Sequence, residues 1–379
     1  MHLEQPRFGL GRTAAWALAP FRNAIVFVVV VVVGCLGGTV TVKAQVPSLI
    51  QFSVEGQRYE GMKLVSLAHE MLLIGRDGGL HTVDPRDQQS QIRELGEPYQ
   101  PASVSELRNQ LQSEFGAYFE VLTTQNFLVV QPRGRGNQWP DLFEKSHRGF
   151  ISYMTRRGVN IRQGRFPMVA VVFPDEVAMY NEFRKRKIDM SRVSGVYSIL
   201  SNRVITHDGG HSSMIAETVR HEAAHQSAFN SGVHSRVNDT PRWITEGIGQ
   251  MFEPEGMLTS QSASQRRERA NLESMMVIKK WVGPKENTEF ALAMRSLVGG
   301  EEWFEDPAKI DYAYATSWAA MFYLAERQPK QFTAILNHTA SRPPLVVYQR
   351  AQRIADFEKI VGMNIQDFSN RVMWFLRKM

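Results

Sequence analysis

Along residues 48–91 apolar and polar positions alternate in short runs, the period of half-buried strands. Phe52-Ser53-Val54-Glu55-Gly56, Arg58-Tyr59-Glu60-Gly61 and Met71-Leu72-Leu73-Ile74-Gly75 read as strands, and Leu80-His81-Thr82-Val83 as the return strand after the Asp77-Gly78 hairpin signal. They predict a small β module in which His81 is a surface residue. Glu94–Ser103 is polar and contains Pro98 and Pro101, which predicts a connector. The period then changes. Val104, Leu107, Leu111 and Phe115 recur at three- and four-residue steps and predict a helix with one apolar face.

The next stretch mixes both periods. Phe119–Leu122 and Phe127–Gln131 predict a strand pair, Trp139–Arg157 a helix, Met168–Phe173 a buried strand ended by Pro174, and Asp175–Arg186 another helix. Val196–Leu200 and Arg203–Thr206 flank Ser201-Asn202 as a hairpin. Asp208-Gly209-Gly210-His211 is then a loop, in which His211 is an incidental histidine, leading to a helix stopped by Gly232. Thr240 as N-cap and Pro241 at the first helical position open another helix after a loop of about seven residues. Beyond Gly256 the pattern is helical: Ser262–Lys279, Ala313–Leu324 with Trp318, Met321 and Phe322 as core, and a tail carrying Phe357, Ile360, Val361, Phe368, Val372 and Phe375. The fold class expected is α+β: a β module over 45–103, then a domain over 104–379. That domain combines a mixed sheet and helices to about residue 260 with a helical part over 261–379.

Composition changes this picture at the amino terminus. Arg7, Arg12 and Arg22 precede the apolar run Ala24–Val33, and Val42-Lys43-Ala44 is a small-residue site. Residues 1–44 therefore read as a signal peptide that directs export to the periplasm, cell surface or exterior. A retained membrane anchor over residues 24–42 and a lipid anchor on Cys35, the only cysteine, are the alternatives, and either would attach the chain to a membrane. With Cys35 in that segment, no disulfide is expected in the remainder. The formal charge of +6 is partly local, because residues 1–44 hold four bases against one acid. Arg184–Lys187 and Arg266–Arg269 remain as basic clusters. Without interleaved aromatics they read as solvated helix faces, and no nucleic-acid partner is expected.

The chemistry is concentrated in His221-Glu222-Ala223-Ala224-His225. Two imidazoles at i and i+4 share one helix face and can share one metal, while Glu222 is offset beside it as a candidate general base. A tetrahedral catalytic zinc needs a third protein ligand. A third histidine six residues past His225 would fall on Ser231; the candidates that remain are His234 and Glu246. Glu246 lies in the second turn of the helix opened by Pro241. Gly247 and Gly249 beside it cost about 1 kcal/mol each relative to Ala in a helix interior. They make sense if that helix must approach the histidine helix closely.

His-Glu-x-x-His followed by Trp243-Ile244-Thr245-Glu246-Gly247 resembles the gluzincin metallopeptidases, the clan of thermolysin and aminopeptidase N. Within it the chain is most similar to a poorly characterised group of bacterial secreted proteins with a peptidase-like zinc domain. The resemblance spans roughly residues 104–330 and implies a zincin-like sheet whose last strand lines the cleft. It implies one Zn2+ held by His221, His225 and Glu246, with Glu222 as base. Tyr314, in Tyr314-Ala315-Thr316-Ser317-Trp318, matches the oxyanion-stabilising tyrosine, with Tyr312 as its rival. The implied activity is hydrolysis of peptide or protein substrates. A Gly-Ala-Met-Glu-Asn type segment, the aminopeptidase signature, is not found. A zinc hydrolase of non-peptide amides and a non-catalytic zinc-bearing surface protein are the alternatives.

Overall fold

The structure, a computed structural model, describes residues 47–185, 193–210, 212–259, 263–282 and 286–379. The readings of residues 1–44, of Cys35 and of His211 fall outside these residues. Among the described residues no helix is long and apolar enough to cross a membrane. The chain is α+β.

Five antiparallel strands form the first sheet: β1 (Ser48–Val54), β2 (Gln57–Ser66), β3 (Met71–Gly75), β4 (Leu80–Val83) and β5 (Arg93–Pro98), in the order β4-β3-β2-β1-β5. Alternation sends Met62, Leu72, Ile74 and Leu80 to one apolar cluster and Phe52, Met71, Leu73 and Val83 to another. Two expectations need correction. Part of the expected connector is β5, an edge strand that pairs only with β1. Its side chains are almost all exposed, so its polar sequence carries no strand period. His81 is not a surface residue: its ring packs at 4.3 Å on Tyr59 and 5.2 Å on Phe52, and burial lowers its pKa.

A capping box of Ser103 and Glu106 starts α1 (Val104–Phe115), which buries Leu107 and Leu111. Next come β6 (Phe119–Thr123), β7 (Phe127–Pro132), α2 (Gln138–Arg156), β8 (Met168–Phe173), α3 (Glu176–Lys185), β9 (Gly195–Ser198) and β10 (Arg203–His207). The second sheet has the order β6-β7-β8-β10-β9, parallel at its centre and antiparallel at both edges. α1 and α3 cover one face through Leu107, Leu111, Met179 and Phe183. The other face receives α2 and α4 (Ser212–Asn230), whose Ile215, Val219 and Ala223 form a stripe at four-residue steps. Gln226 pins α4 to the sheet, donating to the carbonyls of Val169 and Asn202 at 3.0 and 2.8 Å.

The rest is helical: α5 (Arg242–Phe252), α6 (Leu272–Val282), α7 (Glu286–Gly299), α8 (Glu302–Glu305), α9 (Ile310–Arg327), α10 (Pro329–Ala340), α11 (Arg350–Val361) and α12 (Ile365–Arg377). Ala315 to Ala325 of α9 are all buried, so this helix is the hub, with Trp318, Met321 and Phe322 in the core as expected. The helix expected over 262–279 is instead a 3-10 segment, Ala263–Arg269, followed by α6, because Asn271 accepts the Ser274 N–H at 2.9 Å and starts a new helix. Arg266–Arg269 is a solvated face only in part: Arg267 and Glu268 are exposed, whereas Arg266 and Arg269 turn to Glu326. Arg269 is 1% exposed and donates to Glu326 at 2.8 Å.

Glu326 ties three elements together. Arg157 and Tyr153 of the α2 end bond one carboxylate oxygen, and Arg266 and Arg269 the other. Burial would raise its pKa, but the guanidinium groups of Arg157 and Arg269 outweigh that and hold it below the usual 4.5. Its contribution to stability is therefore full above about pH 4.5 and is lost as pH falls through the lower folded value. Glu326→Gln leaves two buried guanidinium groups without their carboxylate and is expected to cost about 3 kcal/mol. Urea melts should show that loss at pH 7 and a smaller difference from wild type at pH 3. An unchanged midpoint at pH 7 would mean that the cluster is not stabilising.

Candidate metal centre

Because α4 lies flat on the second sheet, its opposite side faces the helical half. There His221 and His225, one turn apart, stand with their Nε2 atoms 2.9 Å from each other. α5 brings Glu246 to the pair, with Oε2 at 3.4 Å from His221 Nε2 and 3.5 Å from His225 Nε2. These three residues, each 3% exposed or less, form a buried group that could hold a metal ion. Ligands on a tetrahedron with bonds of about 2.0–2.1 Å stand about 3.4 Å apart, close to the two separations from Glu246, while the two ring nitrogens stand nearer, at 2.9 Å. Glu246 Oε2 is buried without a hydrogen-bond partner, since its approaches to the rings are too long for good bonds. Two nitrogens and an unsatisfied carboxylate oxygen, converging out of contact with water, are a donor set that fits a divalent ion.

The glycines flanking Glu246 explain how α5 gets so near. A Cβ on Gly249 would stand 2.5–2.9 Å from three atoms of the His221 ring, so that ring lies directly on the α5 backbone. A Cβ on Gly247 would meet Ser317 O and Met321 Cγ at 2.6 Å, so Gly247 admits α9 on the other side. Close approach to α4 was expected of both; only Gly249 provides it. The start of α5 also differs. Thr240 does not cap it: the Thr240 hydroxyl is buried without a partner, Pro241 holds the cap position, and Glu301 accepts the Arg242 N–H at 3.4 Å. The connection from α4 spans residues 231–241, longer than expected. His234 does not join the metal group. It packs against Phe229 at 5.2 Å, and burial together with the charge of His225 lowers its pKa to about 3.

Glu253 was not singled out in the sequence, although it lies seven residues past Glu246 and so on the same helix face. Its Oε1 is 2.8 Å from His221 Nδ1. A carboxylate only accepts, so Nδ1 carries the proton, and in the neutral ring Nε2 presents its lone pair to the metal position. Gln250 and Asn271 donate to Glu253 at 2.8 and 2.7 Å, and Arg220 donates to its backbone carbonyl. Burial opposes a charge on His221, but the Glu246 and Glu253 carboxylates at its two nitrogens overcome this and hold its pKa well above 6.5. Glu246 likewise stays ionised. Burial would raise its pKa, and the two imidazoles and Arg242 bring it far below the usual range.

Glu222 lies close enough to this cluster for the charges of His221, His225 and Glu246 to act on it, and one of its oxygens is held by the sheet. Its Oε2 accepts the backbone N–H of Tyr197 at 2.6 Å, and its Oε1 is buried without a partner. Burial, the largest influence, raises its pKa above 4.5. Tyr197 belongs to β9, so the strand beside the catalytic candidate is the edge strand β9, not the last strand β10. Of the two tyrosines, Tyr312 stacks on Trp281 at 4.6 Å, whereas Tyr314 hydrogen-bonds Arg242. Arg242 also approaches Glu246 Oε1 at 3.6 Å, which connects Tyr314 to the metal group.

A family profile described as a protein of unknown function (DUF1570) matches residues 215–346. The match covers His221, Glu222, His225, Glu246, Glu253 and Tyr314, about a third of the chain, and carries no activity with it. No curated protein matches.

Two substitutions test this geometry. Removing the outer carboxylate in Glu253→Gln should weaken metal affinity about 10–100-fold, read by competition with a chromogenic chelator. Gly249→Ala would stabilise an ordinary helix interior by about 1 kcal/mol; here it should displace the His221 ring and lower metal occupancy. Wild-type metal affinity in both variants would contradict the packing described.

Proposed function

We propose that the protein is a zinc-dependent hydrolase that cleaves peptide bonds, a metallopeptidase of the gluzincin type. The observation that carries this reading is the convergence of His221, His225 and Glu246 within 4.8 Å, with Glu222 near enough for their charges to act on it. His221 and His225 from one helix and Glu246 from the next would hold the ion. When bound, zinc supplies Lewis acidity, lowering the pKa of water toward neutrality and polarising a carbonyl.

The remaining work falls to the chain. The Tyr197 N–H fixes one oxygen of Glu222 and so orients the carboxylate. The other oxygen, Oε1, takes the proton from the attacking water and returns it to the leaving amine nitrogen. Burial raises the pKa of Glu222, which makes it a stronger base once ionised. Tyr314, bonded by Arg242, donates from its hydroxyl to the developing oxyanion. β9 supports a peptide substrate: as the edge strand beside Glu222 it can pair with extended backbone of any sequence, apart from the Tyr197 N–H that Glu222 takes. The export signal read in residues 1–44 agrees with a peptidase acting outside the cytoplasm.

Digestion of an unfolded protein by the purified chain, abolished by a chelator and restored by zinc, is the expected result. Glu222→Gln should retain zinc and lose about 10²–10⁴-fold in turnover, while His225→Ala and Glu246→Ala should lose the metal itself. Tyr314→Phe should cost about 10²–10³ in kcat, and Tyr312→Phe much less. Tight zinc binding with no hydrolysis of peptides or other amides would favour a binding protein. Full activity in Glu222→Gln would overturn the role given to that residue.

A further inference from the structure

One turn past His225, at Phe229, the end of α4 opens on a cavity of about 870 Å³. It lies between the first sheet, the loop between α2 and β8, the α4–α5 connection and α10, and its size suits a small molecule. Its charge is one-sided. Arg162, Arg165 and Arg236 line it, and among the described lining residues there is no aspartate or glutamate. Arg236 is engaged by the carbonyls of Gly78, Ile199 and Leu200, which holds the first sheet to the connection. Arg162 and Arg165, both lining the cavity, have no carboxylate partner among the described residues, so their guanidinium groups are uncommitted.

Two contacts set the course of the loop that carries them. The Arg162 N–H bonds the Ser231 carbonyl at 2.9 Å, and its stem lies over Gly232, where a Cβ would stand 3.1 Å from Arg162 Cδ. The Phe166 ring covers Gly78, where a Cβ would stand 3.0 Å from Phe166 Cγ. The deepest polar group of the cavity is His234, 1% exposed, whose ring nitrogens make no well-formed hydrogen bond and have only the Val233 backbone beside them as a partner. That backbone can serve one nitrogen at most, and a buried polar atom left unpaired is costly, so the other nitrogen calls for a partner.

We propose that this cavity binds a small organic anion. Arg162 and Arg165 take its carboxylate or phosphate, His234 bonds a polar group carried inward, and Phe166 and Phe229 pack on its apolar part. The site is separate from the metal centre, and its ligand does not depend on the activity proposed for that centre. Arginine is suited to either head group, since both offer paired oxygens to the guanidinium fork.

The test is calorimetric titration of the full chain, stripped of metal by a chelator so that no ion offers anions a second site, at constant ionic strength. Inorganic phosphate and octanoate are the probes. At least one should bind saturably to a single site, and Arg162→Ala/Arg165→Ala should weaken that binding about tenfold or more. Both positions are exposed, so the variant should keep the wild-type melting temperature. Octanoate binding alone identifies a carboxylate with an apolar tail; phosphate binding alone identifies a phosphorylated ligand. Saturation by neither probe, or equal affinity in the double variant, overturns the proposal.

Discussion

The contact on which the rest depends is that of the His221 ring with the bare backbone of α5 at Gly249. A carboxylate side chain is short, so Glu246 reaches the imidazole pair only if its helix axis comes unusually near. A glycine permits that approach at the cost of helix propensity. Much of the surrounding architecture serves to hold the two helices there. The second sheet gives α4 a flat bed through Ile215, Val219 and Ala223, and α9 backs α5 through Gly247, Ser317 and Met321.

Electrostatics reinforces the packing. Glu246 and Glu253 project from one face of α5 two turns apart and bracket His221, one at each ring nitrogen. Buried carboxylates and imidazoles in such number are unfavourable unless they neutralise one another or share a cation. Asn271 and Gln250 donate to Glu253, and Arg242 offsets the charge of Glu246 at 3.6 Å, while Glu246 Oε2 is left without a hydrogen bond at the centre of the group. Glu222 is not one of the three converging donors, and the backbone of β9 holds one of its oxygens.

The two halves of the chain divide the labour. The sheet half contributes the strand edge and the helix that carries both histidines. The helical half contributes the third donor and its supports. The connection between them, residues 231–241, also borders the cavity lined by Arg162 and Arg165, where the first sheet meets the loop between α2 and β8. His234 lies on this connection, close enough to the metal helix to feel the charge of His225.

Spacing along the chain was enough for most of the secondary elements and for the two histidines with Glu222, because a four-residue step has a single meaning on a helix. Glu246 was legible as a candidate through its neighbouring glycines. Four features were not legible. β5 is a polar edge strand, and edge strands carry no buried period. Arg269 and Glu326 look like surface charges until three elements close over them. The cap of α5 comes from Glu301, far along the chain, and not from the adjacent Thr240. Glu253 required knowing that α5 continues unbroken for two turns toward His221. The sequence alone thus determined which atoms can bind a metal and which helices present them. Only the tertiary structure decided which of them meet, because meeting depends on the distance between helix axes, and packing against a third helix sets that distance.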